Sequence, residues 1–128
     1  MPDPTDIRAA LRQGGLIDIT TTGRTSGQPR RIELGFVVLD GRVYISGLPG
    51  RRGWLANLKA DPRMTFHVKS GPRADLPATA RVITDETERR PLMERICTIW
   101  KRQAQTEGFV ASAPLIEVLF DDPALLAA

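Results

Sequence analysis

Hydrophobic and polar residues alternate, or β-branched residues cluster, along several stretches of the chain, which is the pattern of half-buried β-strands. In residues 30–39, Ile32, Leu34 and Phe36 occupy every second position. The Asp-Gly pair at 40–41 follows, and such a pair between two β-rich runs predicts a tight hairpin. On these grounds we predict six strands, over residues 16–22, 30–39, 43–46, 64–69, 78–84 and 115–120.

Apolar residues recur at helical spacing in two early segments. Residues 4–13 predict a first helix, capped by Thr5 or Asp6 and stopped by the glycines at 14–15. A second, short helix begins near Arg52 or Gly53 and ends before Pro62, because proline cannot continue a helix.

A third helix is predicted to open at Asp85, which forms a capping-box pattern with Glu88. Pro91 indicates either a kink or a later start. Cys97 lies beside the apolar stripe and is expected to be a buried thiol. Trp100 is expected in the core or at a subunit contact. The predicted stripe consists of Leu92, Met93, Ile96, Ile99 and Trp100.

The order of the predicted elements indicates the fold class. Strands cluster early and do not alternate regularly with helices, which disfavours a parallel doubly wound sheet. We predict an α+β protein with about six mainly antiparallel strands, as a sheet or small barrel, and two or three helices. The 128 residues suit a single domain, 1–128, with an ordinary core.

Charge is distributed unevenly. The formal net charge of +3 arises from +6 over residues 1–73 and −3 over residues 74–128, and 15 of the 18 basic residues are arginine. A general preference for arginine codons explains the total equally well, so the positions of the arginines carry more information. Arginine forks suit phosphate and carboxylate groups.

Single cysteine and histidine residues exclude several kinds of site. One cysteine, Cys97, excludes an internal disulfide framework and a cysteine-based zinc site, and one histidine excludes a multi-histidine metal site. His67 is expected to face solvent or a sheet edge, and Glu33 to be exposed or paired with a neighbouring arginine. A free thiol, no export signal and no apolar run of about 18 residues predict a cytoplasmic protein with no membrane span.

Two loops concentrate the candidate chemistry. The first, Gly23–Arg31, holds Arg24, Arg30 and Arg31 with two hydroxyls and two glycines, so it either presents donors to an anion or is a solvated hairpin turn. The second, Ser46–Trp54, joins a strand to a helix through glycines and two arginines. It is either an anion site at a helix N-terminus or an ordinary connection with Trp54 in the core.

Together these loops resemble the deazaflavin-dependent nitroreductase family. The run from Thr20 to Arg30 is similar to that family's thr-thr-gly-arg-x-ser-gly-x-pro-arg stretch. The run from Ser46 to Pro62 is similar to its glycine-rich loop followed by trp-x-x-asn-leu-x-ala-x-pro. The resemblance implies a split β-barrel, as in flavin-dependent pyridoxamine phosphate oxidases, a homodimer, and coenzyme F-420 or, alternatively, FMN as cofactor.

The resemblance also implies roles for particular residues. The arginines would clamp the cofactor's phosphate and acidic tail, the loop glycines would let the backbone approach it, and the short helix would form part of its wall. The cofactor carries the hydride chemistry, so no acid–base residue is required. The implied cofactor-binding residues are Arg24, Arg30, Arg31, Ser46, Gly47, Pro49, Gly50, Arg51, Arg52, Trp54 and Asn57.

The leading functional interpretation is therefore hydride transfer from reduced coenzyme F-420 to a small molecule: a quinone, a nitroaromatic or an activated double bond. The alternatives are an FMN-dependent reductase and a non-catalytic carrier of a flavin or another anionic cofactor. Nucleic-acid binding by the basic half is disfavoured, because only 5% of the residues are aromatic and none interleaves with the arginines.

Overall fold

Six antiparallel strands form a closed barrel in the computed structural model, which describes residues 3–69 and 71–126. The order around the barrel is β1-β2-β3-β6-β5-β4. The strands are β1 (Gly15–Thr22), β2 (Pro29–Leu39), β3 (Arg42–Ser46), β4 (Arg63–Val68), β5 (Ala74–Val82) and β6 (Leu115–Phe120). The α-helices are α1 (Pro4–Gln13), α2 (Gly53–Ala60), α3 (Glu86–Ile99) and α4 (Thr106–Ser112), with short 3-10 helices at Gln103–Gln105 and Pro123–Leu126.

The predicted α+β class with six antiparallel strands is confirmed. The helix count is higher than the two or three predicted, since the described residues contain four α-helices. The seven-residue α4 was missed because it is too short to show a helical period and contains Gly108.

Two hydrophobic cores hold the barrel together. Inside it, Phe66 makes edge-to-face contacts with Phe36 and Phe120, at centroid distances of 5.3 and 5.2 Å. Outside it, α3 and α4 cover the opposite face of β2 and β3, where Met93 and Phe109 are fully buried. The second core leaves the β1–β2 turn and the start of α2 uncovered, and the candidate site lies there.

The first helix starts as predicted at Pro4, but its cap differs. Asp3, not Thr5 or Asp6, is the N-cap, and its carboxylate accepts a 2.7 Å hydrogen bond from the Thr5 N–H. Proline at the first helical position explains this, because its fixed φ suits that position and leaves Asp3 to cap.

Helix α3 begins at Glu86, so Pro91 lies inside it and does not mark its start. Asp85 caps it as predicted, accepting from the Glu88 N–H at 3.2 Å. The predicted apolar stripe was wrong in part, because Ile99 is 51% exposed. The face that meets the barrel consists of Arg89, Met93, Ile96 and Cys97.

Trp100, which follows α3, is partly buried against the second core. Its ring lies against Gly35, where an added Cβ would be 3.2 Å from the ring, so a side chain at position 35 would push it aside.

Strand β5 begins at Ala74, four residues before the predicted start at Ala78. Pro77 lies in this extension of the strand, although proline cannot donate to a ladder. The β5–β6 ladder ends at the pair Ala78 and Phe120, so Pro77 lies just outside it and is not required to donate to β6. Its carbonyl oxygen still accepts a hydrogen bond from the Asp121 N–H at 3.0 Å.

Two polar residues lie differently from their predicted positions. His67 is buried rather than facing solvent, because side chains from β1 and β5 flank it and bond both of its ring nitrogens. Glu33 is exposed as predicted, but it pairs with Lys69 rather than with an arginine. Among the described helices, none is long and apolar enough to span a membrane.

Candidate functional site

A groove of about 440 Å³ separates the β1–β2 turn from the start of α2. It forms because β2 begins beyond the closed part of the barrel. Ile32 is 40% exposed, whereas Phe36, four residues further along the same face, is buried in the core. Five of the predicted site residues line the groove: Arg24, Arg30, Arg31, Trp54 and Asn57.

Asn57 joins the two walls of the groove. Its Oδ1 accepts from the Arg24 main-chain N–H at 3.1 Å and from Arg24 Nη1 at 2.9 Å. Its Nδ2 donates to Thr21 Oγ1 at 3.2 Å. Because Asn57 is buried, its two bonds to Arg24 hold that residue against α2, where it lines the groove.

The β1–β2 turn is held by its own backbone. Gly23 N–H donates to Gln28 O at 2.8 Å, and Gly27 N–H donates to Gly23 O at 2.8 Å. Ser26 Oγ accepts from the Gln28 N–H and from Arg30 Nη2. A Cβ on Gly23 would lie 2.6 Å from Ser26 Oγ and 3.2 Å from Gln28 O, so any larger residue would force the Ser26 side chain to move.

The N-terminus of α2 faces the groove through Gly53 and Trp54. Arg52 is the N-cap, and no side chain among the described residues bonds the first N–H groups of this helix. An added Cβ on Gly53 would meet nothing within 4 Å, so the space beside this residue is open. Uncapped N–H groups and the positive end of the helix dipole favour an anion at this point.

The other predicted residues lie on the β3–α2 connection and do not line the groove. The Ser46 hydroxyl is buried and donates to Pro114 O at 2.6 Å. Arg52 donates to Leu48 O and to Arg51 O, each at 2.8 Å. The structure therefore separates Ser46, Gly47, Pro49, Gly50, Arg51 and Arg52 from the five residues that it brings together.

This connection rests on the corner between α4 and β6. Gly50 N–H donates to Ser112 O at 3.1 Å, beside the bond from Ser46 to Pro114. The corner is in turn held by the buried Arg89, whose guanidinium donates to four main-chain carbonyls at 2.8–3.0 Å. These belong to Ile83, Phe109, Val110 and Ala113.

Four of the site arginines have no carboxylate partner among the described residues to compensate their charge. Within residues 3–69 and 71–126, no carboxylate pairs with the arginines at 24, 30, 51 and 52. In contrast, Arg95 pairs with Asp40 at 2.7 Å and Arg63 with Asp121 at 2.9 Å. The positive charge of these site arginines is available to an anionic ligand.

Arg31 is the exception among the site arginines. Its Nε lies 2.9 Å from Asp18 Oδ2. Lys69 and Arg31 together hold the pKa of the Asp18 carboxyl below its usual value, with the bond to Lys69 as the larger cause. Arg31 therefore lines the groove with its charge already compensated.

Groove residues outside the implied cofactor-binding set are Thr21, Gly23, Thr25, Ser26, Ile32 and Gly53. Thr21 is the partner of Asn57, and Ile32 offers an apolar surface. The alternation of β2 indicated a buried Ile32, and only the projection of the strand beyond the barrel exposes it.

Solved structures share this fold. A conserved hypothetical protein from Mycobacterium tuberculosis is 13% identical, with a TM-score of 0.77 over 95% of this chain and 82% of that one. A protein from Clostridium acetobutylicum related to general stress protein 26, of the pyridoxinephosphate oxidase family, is 14% identical with a TM-score of 0.68 over 94% and 87%. A FAD-binding protein from Mesorhizobium loti is 14% identical with a TM-score of 0.67 over 94% and 90%. At these identities the likeness shows the fold alone.

A family model matches residues 6–111 of the chain, which include both walls of the groove. Its description is F420H(2)-dependent quinone reductase.

Proposed function

Because the chain belongs to the F420H(2)-dependent quinone reductase family, we propose that it reduces a quinone in the groove between the β1–β2 turn and α2. Membership makes the protein an oxidoreductase whose cofactor is coenzyme F-420. The choice of acceptor and the residues that bind the cofactor are the proposal.

The groove fits the anionic part of the cofactor. Coenzyme F-420 carries a phosphate and a tail of carboxylates. The observation that carries the proposal is the combination of uncompensated Arg24 and Arg30 with the uncapped N-terminus of α2. Guanidinium forks and free backbone N–H groups are the donors that a phosphate requires, and they converge on one open space.

In this proposal, the chain's own residues bind and orient the cofactor. Arg24, held by Asn57, and Arg30 would hold the phosphate, and Gly53 would let it approach the helix backbone. Arg51 and Arg52 on the neighbouring loop would attract the carboxylate tail. When bound, the cofactor supplies the hydride, and the protein sets its position and electrostatic surroundings.

The groove has an apolar wall as well as a cationic one. Ile32 is exposed on it and Trp54 forms part of its floor. A flat, uncharged ring such as a quinone would pack against these apolar side chains. Nitroaromatics and activated double bonds offer the same flat shape, so they are the competing acceptors for a turnover assay.

Calorimetric titration tests the cofactor site. Wild-type protein should bind coenzyme F-420 more tightly than FMN. Arg24→Gln and the double variant Arg51→Ala, Arg52→Ala should each weaken binding about tenfold or more, since a bond to a charged group contributes about 1.5–3 kcal/mol. Arg95→Gln is the matched control, because its charge is already paired with Asp40.

The outcomes separate the alternatives. Tight FMN binding without coenzyme F-420 binding would overturn the cofactor assignment to the groove. Cofactor binding without quinone, nitroaromatic or enone reduction would favour a carrier. Equal losses in Arg95→Gln and Arg24→Gln would show that net charge, rather than this groove, attracts the cofactor.

A homodimer is a further part of the proposal. Leu16 and Ile99 are both exposed, and Leu16 lies opposite Gly35, on which the Trp100 ring packs. Exposed apolar side chains of this kind suit contact with a second copy of the chain. Light scattering should give the mass of two chains for the wild type and of one for Leu16→Glu; a single-chain mass for the wild type would refute the dimer.

A further inference from the structure

A hydroxyl, an imidazole and a carboxylate form a hydrogen-bonded row on the outer face of the barrel. Thr20 Oγ1 lies 2.7 Å from His67 Nε2, and His67 Nδ1 lies 2.7 Å from Asp75 Oδ1. The three residues come from the neighbouring strands β1, β4 and β5. None of them lines the cofactor groove, so the proposed hydride transfer makes no use of them.

The row has a defined direction for its protons. The Asp75 side chain is 76% exposed, and its bond to His67 lowers the pKa of the Asp75 carboxyl, so it is an ionised acceptor. A carboxylate only accepts, so a neutral imidazole that donates to Asp75 from Nδ1 presents its Nε2 lone pair to the Thr20 hydroxyl. The ring is only 10% exposed and is held in this orientation.

We propose that Thr20 is a nucleophilic hydroxyl and that the protein transfers the acyl group of small activated esters through it. The three side chains stand as nucleophile, base and orienting group. Thr20 Oγ1 forms a bond to the acyl carbon while its proton moves to His67 Nε2. The ester's alcohol leaves with that proton, and water then releases the acid by the same steps in reverse.

The space beside Thr20 suits a small acyl group. Thr20 lines a cavity of about 330 Å³ together with Thr22, Arg63 and Thr65. This volume accepts a short acyl chain with an aryl leaving group. Arg63 also lies on the cavity wall, where its guanidinium is paired with Asp121.

The probe is p-nitrophenyl acetate, with release of nitrophenolate as the readout and mass spectrometry to locate the acetyl group. Wild-type protein should release nitrophenolate and carry acetyl on Thr20. Thr20→Val and His67→Gln should lower the rate at least about tenfold, since a positioned base contributes 10²–10⁴-fold. Thr20→Ser should raise it, because a primary hydroxyl is less hindered.

Thr22→Val is the matched control, because Thr22 lies on the same strand face and in the same cavity but makes no bond to His67. Asp75→Asn changes an exposed residue and should also slow acylation. It therefore tests the proposal even if a variant of a buried residue fails to fold. Binding of coenzyme F-420 by each variant reports that it is folded. Acetylation confined to lysines, or hydrolysis unchanged in Thr20→Val and Asp75→Asn, would overturn the proposal.

Discussion

Replacing Asn57 by aspartate should separate the stability of the fold from the affinity for the cofactor. The carboxylate keeps both acceptor contacts to Arg24, and the Thr21 hydroxyl can turn to donate to it. The new ion pair offsets the cost of burying a charge, so the free energy of unfolding should stay within about 1 kcal/mol of wild type.

The same substitution neutralises Arg24, the cation that the proposed site offers to the phosphate. Loss of one charge-assisted hydrogen bond corresponds to about 1.5–3 kcal/mol, or about 10- to 100-fold in the dissociation constant of coenzyme F-420. Urea denaturation measures the stability and calorimetric titration measures the affinity.

Asn57→Ala is the comparison variant. It removes three hydrogen bonds, each contributing about 1 kcal/mol, so it should lower the free energy of unfolding by about 3 kcal/mol. It should also weaken the binding of coenzyme F-420. If Asn57→Asp binds coenzyme F-420 as tightly as the wild type, the uncompensated charge of Arg24 does not serve the cofactor. That result would refute the reasoning.

Three further predictions concern stability and the turn. Arg89→Met should lower the free energy of unfolding, measured by urea denaturation, by about 3 kcal/mol, because four buried carbonyls lose their donor. Arg90→Met, on the same helix but at the surface, should lower it by less than about 1 kcal/mol. Equal losses in the two variants would contradict this prediction. The pKa of Asp18 is lowered in the fold, so its contribution to stability is present above about pH 3.9 and is lost as the pH falls through the folded value. In Asp18→Asn, the melting temperature should therefore fall less steeply at acid pH than it does in the wild type. Gly23→Ala should weaken coenzyme F-420 binding more than it lowers the melting temperature; the reverse would show that the turn serves the fold alone.

The local sequence pattern was sufficient to predict an element whose boundaries depend on its own residues. The prediction for β2 began one residue late and ended at its observed end, because alternation and the Asp-Gly turn are local signals. The prediction for β5 began four residues late, because the tolerance of Pro77 depends on where β6 ends. His67 was placed at the surface because its partners come from β1 and β5, 47 and 8 residues away.

Prediction of the candidate site was limited in the same way, by contacts between residues that are distant in sequence. Its arginine-rich turn could be named from sequence, but not the bond between Arg24 and Asn57, which are 33 residues apart. Ser46 was expected to bind the cofactor, yet its hydroxyl bonds the main chain of Pro114, 68 residues further along. Which arginines keep an uncompensated charge also depends on tertiary neighbours, and it is this charge that supports the proposed cofactor site.

The most direct test is the rate at which reduced coenzyme F-420 is oxidised by a soluble quinone, measured against coenzyme concentration. Wild-type protein should give a saturable, quinone-dependent rate. The Arg24→Gln, Arg30→Gln double variant should raise the KM for the coenzyme about tenfold or more while kcat changes little. A rate no higher than the protein-free reaction, or a KM unchanged in the double variant, would contradict the account.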